Sequence, residues 1–410
     1  MLPAGSPLSD WLTWLETLSP REIDLGLERV QAVLDRLALP LPEHVLLVAG
    51  TNGKGSCVAM ADALLRAAGF RVGAYTSPHI IDYNERISLE DGRADDAQIV
   101  AAFEKIEAVR NDVPLTYFEY GTLAALVLFT EASLDVWILE VGMGGRLDAT
   151  NVIDPTGVLI TNVSLDHCDW LGEDVETIAA EKAGVMRAGI PAVFGAREVP
   201  QAIVEHATTT GARLLLRDRD YSLDGVPQPG LRGEFQVGNA AAVIALLKAA
   251  GLEAAANDDL IAAVLPTVHV TGRGQSIERD GIEWLLDVAH NPAAAQALAG
   301  TLASKQDAGV TTAIVGMLDD KDVEGSVQLL DEFIDRWIAV TADSHRAVPA
   351  QELARRIANA CGRPCLVAES LPDAMESARR DASINDKILV TGSFYLVGPV
   401  LEQLYSRPQS

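Results

Sequence analysis

Cysteine is scarce in this 410-residue sequence, which contains only Cys57, Cys168, Cys361 and Cys365. No two of them have the C-x-x-C spacing typical of a structural zinc site or a dithiol redox site, so neither kind of site is expected. Cys361 and Cys365 lie four positions apart and are interpreted as small buried hydrophobes. This usage of cysteine indicates a reducing compartment.

The sequence also lacks long apolar runs. No segment approaches about 18 uninterrupted apolar residues, the length typical of a transmembrane helix. The opening residues, MLPAGSPLSDWLTWLE, contain no basic segment followed by a continuous apolar core, as a signal peptide would. We therefore expect a cytoplasmic protein with no membrane partner.

Basic side chains are in the minority, with 32 Lys and Arg against 58 Asp and Glu, and the formal net charge is −26. This charge opposes nonspecific binding to nucleic acid or to an anionic membrane surface, so no nucleic-acid partner is expected. An anionic ligand would need local help from a few basic residues, from helix N-termini or from a divalent metal.

Apolar strand-like runs alternate with amphipathic helical patterns along most of the chain. The length of 410 residues suits two domains, each with its own core. Strand followed by helix, repeated, predicts an α/β fold with a mainly parallel sheet covered on both faces. The predicted strands lie in VLLVAG, RVGAYTS, LDVWILEVG, TGVLITNVS and PAVFGA, then in IEWLLDVA, TTAIVGML, RWIAVTAD, PCLVAE and DKILVTGS. The predicted helices include 95–110, 175–188, 239–250 and 350–360, and the turn TGRGQ at 271–275 separates the two series.

The first strand enters a glycine-rich turn within VLLVAGTNGKGSCVAMADALL, Val45 to Leu65. Lys54 and Ser56 lead from the bend into a helix, so backbone N–H groups and a helix N-terminus face an anion, for which phosphate is the expected ligand. The spacing departs from the usual loop G-x-x-x-x-G-K-[ST], because Gly55 separates Lys54 from Ser56. The alternative is a tight connection whose glycines only supply positive φ.

Three further strands of the first series end in polar residues, at the edge where open parallel sheets bind ligands. Ser77 and His79 follow the second strand, and Arg86 in the next loop is either a contact for an acidic substrate or a solvated side chain. Glu140 ends LDVWILEVG, where a carboxylate is costly to bury unless it is paired or binds metal; the alternative is a carboxylate that reaches water. His167 follows another strand and would complete a metal shell begun by Glu140.

Two other residues of this half carry weaker signals. Asp148 lies beyond the glycine cluster of LEVGMGGRLDATN, where backbone approaches a ligand closely. Lys182 lies on a predicted helix, and spacing alone indicates a surface lysine.

In the second half, LLDVAHNPAA places Asp287 and His290 at the end of a strand, again at the ligand-binding edge of a sheet. Asn291 has the alternative role of a helix N-cap. Lys321, among acidic residues in GMLDDKDVEG, is interpreted as part of a solvated loop. With Arg273 at the turn between the two series, these strand ends predict a cleft that closes over nucleotide and substrate. The residues alone thus predict a Mg²⁺-dependent nucleotide enzyme and leave its reaction open.

Several motifs in fixed order resemble the folylpolyglutamate synthases, which belong with the muramyl ligases among ATP-dependent amide ligases. The motifs are GTNGKGS, TSPH, LTYFEYGT, LEVGMGGRLDATN, TNVSLDHCDWLG, EKAGVMR, DVAHNP and TGSFYLVG. The opening segment DWLTWLETLSPREIDLGLERVQAVLDRL is similar to that of the bacterial bifunctional members, and the resemblance covers about residues 8 to 405.

The resemblance implies a fold and an activity. It implies a P-loop-type, mainly parallel ATPase domain over residues 1–272 and a smaller Rossmann-like glutamate-ligase domain over 273–410. The implied reaction adds L-glutamate to 7,8-dihydropteroate and then γ-linked glutamates to reduced folates, through an acyl phosphate. The alternatives are a muramyl-type ligase acting on a cell-wall precursor and a nucleotide-binding protein without ligase activity.

The resemblance also implies roles for individual residues. The residues implied to be catalytic are Lys54, Lys182, Arg273 and His290. The residues implied to bind ATP are Thr51, Asn52, Gly53, Lys54, Gly55, Ser56, Asn239, Arg273 and Asp287. The metal ligands would be Ser77, Glu140, His167 and Lys182, the last as a carbamate. The residues assigned to the pterin acid are Arg86, Thr116, Phe118, Glu119, Leu147, Asp148 and Ala149.

The implied cofactors and partners are small. They are ATP, Mg²⁺ at two sites, dihydropteroate, reduced folates and L-glutamate, with a monovalent cation as a further candidate, and the chain is expected to be a monomer. One departure concerns the turn between the two series, where family members commonly have Pro-Gly-Arg and this chain has Thr271 before Gly272 and Arg273. Thr does not fix φ as Pro does, so the stiffness expected of this turn is lower.

Overall fold

The computed structural model describes residues 5–19, 24–303 and 309–406. The chain forms two compact units. The first unit contains the described residues up to Pro227 together with Val237–Val268. The second contains Gln228–Gln236 and the described residues from His269 onward, so the chain passes from the first unit into the second twice.

The first unit is built on an eight-stranded sheet. Its strands are β1 (His44–Ala49), β2 (Val72–Tyr75), β3 (Ile87–Leu89), β4 (Gly92–Arg93), β5 (Val136–Glu140), β6 (Gly157–Ile160), β7 (Pro191–Phe194) and β8 (Arg213–Leu216). Their spatial order is β4-β3-β2-β5-β1-β6-β7-β8. The six strands from β2 to β8 in this order are parallel, whereas β3 and β4 add an antiparallel edge. The register pairs Val48 of β1 with Glu140 of β5, so the ends of these neighbouring strands are level.

Helices surround this sheet. They are α1 (Leu8–Leu18), α2 (Glu28–Leu37), α3 (Lys54–Ala67), α4 (Asp96–Arg110), α5 (Tyr117–Glu131), α6 (Cys168–Leu171), α7 (Val175–Ala183), α8 (Gln201–Thr210), α9 (Phe235–Ala249) and α10 (Asp258–Val264). Short 3₁₀ helices cover Tyr83–Arg86, Ala149–Val152, Glu253–Ala256 and Leu265–Thr267. Helix α9 lies in the first unit from Val237 onward.

The core of the first unit explains why its strands are apolar on both faces. Every residue of β5 is buried, as parallel strands covered by helices require. Trp137 of this strand packs on Phe129 of α5, with ring centroids 5.8 Å apart. Trp11 of α1 packs on Phe103 of α4 at 5.7 Å, so the N-terminal helix is part of the same core.

The second unit is a six-stranded sheet with helices. Its strands are β9 (Gln275–Arg279), β10 (Ile282–Asp287), β11 (Thr311–Val315), β12 (Arg336–Ala339), β13 (Cys365–Val367) and β14 (Lys387–Thr391), in the order β13-β12-β11-β14-β10-β9. All pairs are parallel except β9 with β10. The helices are α11 (Pro292–Ala303), α12 (Val323–Leu330), α13 (Ala350–Cys361), α14 (Leu371–Arg380) and α15 (Phe394–Ser406), with a 3₁₀ helix at Asp331–Phe333.

These two sheets confirm the predicted α/β class with mainly parallel strands. Cys361 and Cys365 pack half-buried against the core of the second unit. Within the described ranges, none of the helices combines the length and the apolar character that crossing a bilayer requires.

Candidate active site

The glycine-rich loop between β1 and α3 is held by the end of the neighbouring strand β6. Thr51 N donates to Asn162 O at 3.0 Å. Asn52 N donates to Asn162 Oδ1 at 3.1 Å, and Asn162 Nδ2 donates back to Asn52 O at 2.9 Å. A Cβ atom on Gly50, whose φ is +138°, would lie 1.9 Å from Thr161 Oγ1, so only glycine fits there. Contacts within the first unit therefore set the shape of this loop.

Lys54 and Asn239 lie against the same loop, although they are far apart in the sequence. Lys54 Nζ donates to Gly50 O at 3.1 Å and to Thr51 O at 3.2 Å, which places the ammonium inside the curve of the loop. A Cβ atom on Gly53, whose φ is +84°, would lie 3.0 Å from Asn239 Nδ2. The structure thus brings together two segments that were predicted separately to bind ATP.

A buried carboxylate at the end of β5 lies beside the start of α3. Glu140 is 4% exposed, and its Oε2 accepts a hydrogen bond from Ser77 N at 3.3 Å. A Cβ atom on Gly55 would lie 3.7 Å from the same oxygen. Burial, and then the negative charge of Glu140, raise the pKa of the neighbouring Cys57 thiol. The alternative of a carboxylate that reaches water is therefore wrong, and the position suits a cation ligand.

Lys182 is buried near the glycine-rich loop that contains Lys54. This corrects the interpretation of Lys182 as a surface lysine. It lies on the last turn of α7 and is 3% exposed. Loss of hydration, and then the positive charge of Lys54, lower the pKa of Lys182 to about 7, while Asp166 and Asp148 act in the opposite direction. An amine with such a pKa is present in both its neutral and its charged form near neutral pH.

The predicted metal ligands form a mixed set. His167 follows β6 with its backbone in the left-handed region, at φ +52°, and its amide donates to Asp166 Oδ1 at 2.9 Å. In the part of the chain that the structure describes, no three His, Cys, Asp or Glu side chains form a group able to hold a metal ion. The predicted set has two such side chains, Glu140 and His167, beside Ser77 and Lys182. Oxygen donors suit Mg²⁺, so this set fits the ion best if Lys182 also provides oxygen.

Asp148 organises the loop that follows the glycine cluster. Its side chain is buried and caps the 3₁₀ helix Ala149–Val152. Asp148 Oδ1 accepts from Thr150 N at 3.0 Å and Thr150 Oγ1 at 2.7 Å, and Oδ2 accepts from Met143 N at 2.9 Å. Burial raises the pKa of Asp148, and these hydrogen bonds oppose the shift. The carboxylate is thereby fixed in one orientation, close enough to Lys182 for their charges to interact.

Phe118 lies against the same loop. A Cβ atom on Gly142 would be 2.6 Å from Phe118 Cζ, so glycine allows the ring to approach the backbone closely. The ring centroid of Phe118 is 5.9 Å from that of Tyr75. The predicted pterin-acid residues on α5 and on the 147–149 segment are therefore neighbours.

Thr116 and Glu119 form the cap of α5. Thr116 N donates to Glu119 Oε2 at 2.7 Å, and Glu119 N donates to Thr116 Oγ1 at 3.2 Å, which is a reciprocal capping box. Glu119 is also paired with Arg29 of α2, whose Nη2 lies 3.0 Å from Oε1. The sequence reasoning missed Arg29 and the adjoining segment 24–26, whose Gly26 N donates to Leu147 O at 3.3 Å. Arg29 lies in the segment IDLGLERV, and nothing in this segment indicates a partner ninety residues away.

Arg86 is buried in an aromatic environment rather than solvated. It is 9% exposed, and its Nε donates to His79 Nδ1 at 2.9 Å. Its guanidinium carbon lies 5.4 Å from the ring centroid of Tyr83 and 5.6 Å from that of Tyr117. The alternative of a solvated side chain is wrong, and the role of Arg86 toward an acidic substrate stays a prediction.

The second unit groups Arg273, Asp287 and His290 around the end of β10. Asp287 Oδ2 accepts from Gly274 N at 2.8 Å, and Oδ1 accepts from Ala289 N at 2.9 Å. Loss of hydration raises the pKa of Asp287, while the positive charge of Arg273 and then these hydrogen bonds oppose it. His290 Nδ1 lies 2.8 Å from Val288 O and donates to it, so Nδ1 carries a proton.

The structure confirms the alternative role predicted for Asn291 and contradicts the interpretation of Lys321. Asn291 Oδ1 accepts from Ala294 N at 2.8 Å, so its predicted alternative role as the cap of α11 is confirmed. Lys321 is only 8% exposed and lies 3.4 Å from Asp320, which itself pairs with Arg346 at 2.8 Å. The interpretation of Lys321 as part of a solvated loop is therefore wrong.

Comparison with known proteins identifies both parts of the chain. Residues 48–191 match the Mur ligase middle domain family, and residues 272–394 match the family described as Mur ligase, glutamate ligase domain. The two α/β units and the strand-end site thus define the chain as a Mur-type ligase.

Relatives over the full length narrow the assignment. The dihydrofolate synthase/folylpolyglutamate synthase of Escherichia coli (strain K12) is 40% identical, and the match covers 98% of this chain and 97% of that protein. The protein of that name from Mycobacterium tuberculosis is 33% identical over 94% of this chain and 90% of that protein. The chain belongs to the dihydrofolate synthase/folylpolyglutamate synthase family.

Solved structures agree with this assignment. E. coli FolC in complex with DHPP and ADP has a TM-score of 0.93 and 39% identity, covering 99% of this chain and 100% of that one. The Yersinia pestis bifunctional folylpolyglutamate synthase/dihydrofolate synthase complexed with AMPPNP and Mn ion has a TM-score of 0.91 and 40% identity, covering 99% and 100%. The predicted family is confirmed, and the muramyl-type and non-ligase alternatives are not supported.

Proposed function

We propose that the protein is an ATP-dependent amide ligase that joins L-glutamate to 7,8-dihydropteroate and extends reduced folates with γ-linked glutamates. The observation that carries the proposal is the position of Lys182. The charges of Lys54, in the phosphate loop, and of Asp148, in the segment assigned to the pterin acid, both act on this buried amine. This supports the proposal that the two sites adjoin within the first unit, as transfer of a phosphoryl group from ATP to a carboxylate requires.

The reaction proceeds in two steps. An oxygen of the pterin-acid carboxylate attacks the γ-phosphorus of ATP, and the bond from this phosphorus to the β-phosphate oxygen breaks. The products of this step are an acyl phosphate and ADP. The neutral amine of glutamate then attacks the acyl carbon, loses a proton and expels inorganic phosphate, which leaves the amide. Activation is needed because an unmodified carboxylate offers only oxide as a leaving group.

The nucleotide is assigned to the loop residues from Thr51 to Ser56, to Asn239, and to Arg273 and Asp287 of the second unit. Lys54 and Arg273 supply positive charge toward the transferred phosphoryl group, for which positioning and charge neutralisation matter more than covalent chemistry. We assign His290 Nε2 to accept a proton from the glutamate ammonium. His290 Nδ1 is held by Val288 O, which fixes the ring orientation.

The proposed ligands of two Mg²⁺ sites are Ser77, Glu140, His167 and Lys182. Mg²⁺ bound there supplies charge neutralisation for the phosphates. Lys182 Nζ, whose pKa is lowered by burial, would in its neutral form make an N–C bond with carbon dioxide and lose a proton. The resulting carbamate replaces a cation by an anionic oxygen donor, which suits Mg²⁺. A monovalent cation is a further candidate ligand.

The pterin acid is assigned to Arg86, Thr116, Phe118, Glu119, Leu147, Asp148 and Ala149. The aromatic ring of Phe118 and the fixed carboxylate of Asp148 provide one apolar and one polar contact surface. We also propose that residues 1–272 are the ATP-binding domain and residues 273–410 the glutamate-ligase domain. The protein would act as a cytoplasmic monomer without nucleic-acid or membrane partners.

The test is a product analysis with ATP, Mg²⁺ and L-glutamate, offered with dihydropteroate or with tetrahydrofolate. We expect a product one glutamate residue heavier in each case, with ADP release that depends on both the pterin acid and glutamate. A cell-wall precursor offered in parallel should give no product. ADP formation that ignores the pterin acid and glutamate would contradict the proposal.

A further inference from the structure

Arg29 of α2 joins the segment around Asp24, just before this helix, to the start of α5, ninety residues further along the chain. Its Nε donates to Glu119 Oε1 at 3.2 Å and Oε2 at 3.3 Å, and its Nη2 lies 3.0 Å from Oε1. Its Nη1 lies 3.0 Å from Asp24 Oδ2, and Nη2 also donates to Asp24 O. One guanidinium thus holds both the side chain and the backbone of Asp24 and the carboxylate at the start of α5.

The segment held in this way reaches the third element of the predicted pterin-acid site. Gly26, two residues after Asp24, donates its amide to Leu147 O at 3.3 Å. Leu147 immediately precedes Asp148 and Ala149. The segment 24–26 therefore lies between Arg29 on one side and the 147–149 segment on the other.

The environment of Glu119 makes this contact more than a surface ion pair. The Glu119 side chain is only 4% exposed, whereas that of Arg29 is 22% exposed. Without Arg29, the buried carboxylate of Glu119 would keep its hydrogen bond from Thr116 N but would lose its paired cation. Removing one partner of a buried pair is costly because the remaining charge stays desolvated. Exposed pairs elsewhere on the surface contribute little by comparison.

The geometry of arginine matters as well. Its planar guanidinium presents several N–H donors in fixed directions, which lets one side chain bind Glu119 and Asp24 together. A lysine at this position has one compact ammonium and would not present the same fork. The sequence thus uses a residue whose shape suits the joining of two segments.

We infer that Arg29 is a positioning residue for the pterin-acid substrate: it fixes the segment 24–26 against Leu147 and holds the capped start of α5. The inference rests on the proposed function, which places the pterin acid at Thr116, Phe118 and Glu119 and at Leu147–Ala149. Arg29 acts through these segments and is not itself assigned a contact with the reacting atoms.

The test is steady-state kinetics of Arg29→Met, Arg29→Lys and wild type in the full chain, with dihydropteroate, ATP and glutamate varied in turn. We expect Arg29→Met to raise the KM for dihydropteroate about tenfold or more, with the KM values for ATP and glutamate within about twofold of wild type. Arg29→Lys keeps a cation near Glu119 and should recover part of the loss. It also provides a folded variant if Arg29→Met does not fold.

Arg36→Met is the matched control. Arg36 lies on the same helix, and its Nη1 donates to Val109 O at 3.1 Å and to Arg110 O at 2.8 Å, at the far end of α4. We expect Arg36→Met to lower thermal stability while leaving the KM for dihydropteroate unchanged.

Three outcomes would overturn the inference: an unchanged KM for dihydropteroate in Arg29→Met, an equal rise in all three KM values, or the same selective rise in Arg36→Met. Failure of the proposed function is distinguishable, because wild type would then form no glutamylated product from dihydropteroate.

Discussion

The amide of Ser77 and the carboxylate of Glu140 are joined by a hydrogen bond of 3.3 Å, from Ser77 N to Oε2. This bond links the ends of β2 and β5, which are adjacent parallel strands. It holds a buried carboxylate at the edge of the sheet beside the first turn of α3. One oxygen of the carboxylate is thus held by a backbone donor, which is suitable for a metal ligand.

Replacing Glu140 by Gln should abolish metal-dependent ligation while the protein stays folded. Gln keeps the size of the side chain and an acceptor for Ser77 N but removes the negative charge that would hold Mg²⁺. We expect ADP release to fall about 100-fold or more at a fixed Mg²⁺ concentration. The measurement is ADP release during a Mg²⁺ titration, with Glu131→Gln as control, since Glu131 pairs with the exposed Lys105. A Glu140→Gln enzyme with the Mg²⁺ dependence of wild type would refute the metal assignment.

Gly53→Ala should weaken ATP binding selectively. A Cβ atom at Gly53 would lie 3.0 Å from Asn239 Nδ2, so the side chain of Asn239 or the loop must move. Gly69→Ala is a matched control, because Gly69 has a φ of +90° but a Cβ atom there would meet no described atom within 4 Å. Both changes should cost about 1–2 kcal/mol of unfolding free energy from the left-handed backbone.

Only Gly53→Ala should also raise the KM for ATP, by about tenfold. The measurement is the KM for ATP together with the unfolding free energy of both variants. Equal KM values in the two variants would show that contact with Asn239 does not matter for nucleotide binding.

Lys182→Ala should lose ligation, and added short-chain carboxylic acids should restore part of it. Removing the side chain leaves a buried space where a small carboxylate can supply the oxygen donors expected of a carbamate. The measurements are ADP release with and without the added acid, and the intact mass of wild type, which should be higher by one carbon dioxide. Lys105→Ala, at an exposed position, should keep the activity of wild type, and the added acids should not change it. An active Lys182→Ala enzyme that ignores the acids, with no added mass on wild type, would exclude the carbamate.

Asp331→Asn should destabilise the protein at neutral pH and lose this effect in acid. Burial would raise the pKa of Asp331, but hydrogen bonds from Arg363 and Trp337 outweigh it, and the pKa is lowered below 3.8. A carboxyl whose pKa is lower in the folded state stabilises that state above the unfolded pKa, and the contribution is lost as pH falls through the folded pKa.

We therefore expect Asp331→Asn to lower the unfolding free energy by about 1 kcal/mol at pH 7, because the pair is partly exposed. The difference from wild type should shrink as the pH falls below about 3.8. Denaturant unfolding across this range measures it, and the exposed neighbour Glu332→Gln should show no such trend. A difference that does not change with pH would contradict the assignment.

Most of the fold could be predicted because its strands are apolar runs between helical patterns. The helix predicted at 350–360 is observed as Ala350–Cys361, and that at 95–110 as Asp96–Arg110. The helix predicted over 175–188 ends at Ala183, before Gly184, and the one predicted from 239 begins earlier, at Phe235. Strand β4 has only two residues, Gly92 and Arg93, and depends on pairing with β3 rather than on an apolar pattern.

Some features of the candidate site could likewise be predicted from the sequence, and others could not. The positions of the glycine-rich loop and of Glu140 could be predicted because both follow apolar strands, and the strand ends of a parallel sheet share one edge. The burial of Lys182 could not be derived from spacing, since it depends on how α7 packs within the first unit. The partnership of Arg29 with Glu119 joins residues ninety positions apart, and a single sequence gives no sign of it.

Lys54 donates to two carbonyl oxygens of its own loop, those of Gly50 and Thr51. These two bonds hold the ammonium in place before a phosphate oxygen binds, so less side-chain entropy is lost on binding than for a mobile lysine. Adenosine, which carries no phosphate, would leave these internal bonds intact. Discrimination between the triphosphate and the nucleoside would then come from a positive charge that the loop itself has already oriented.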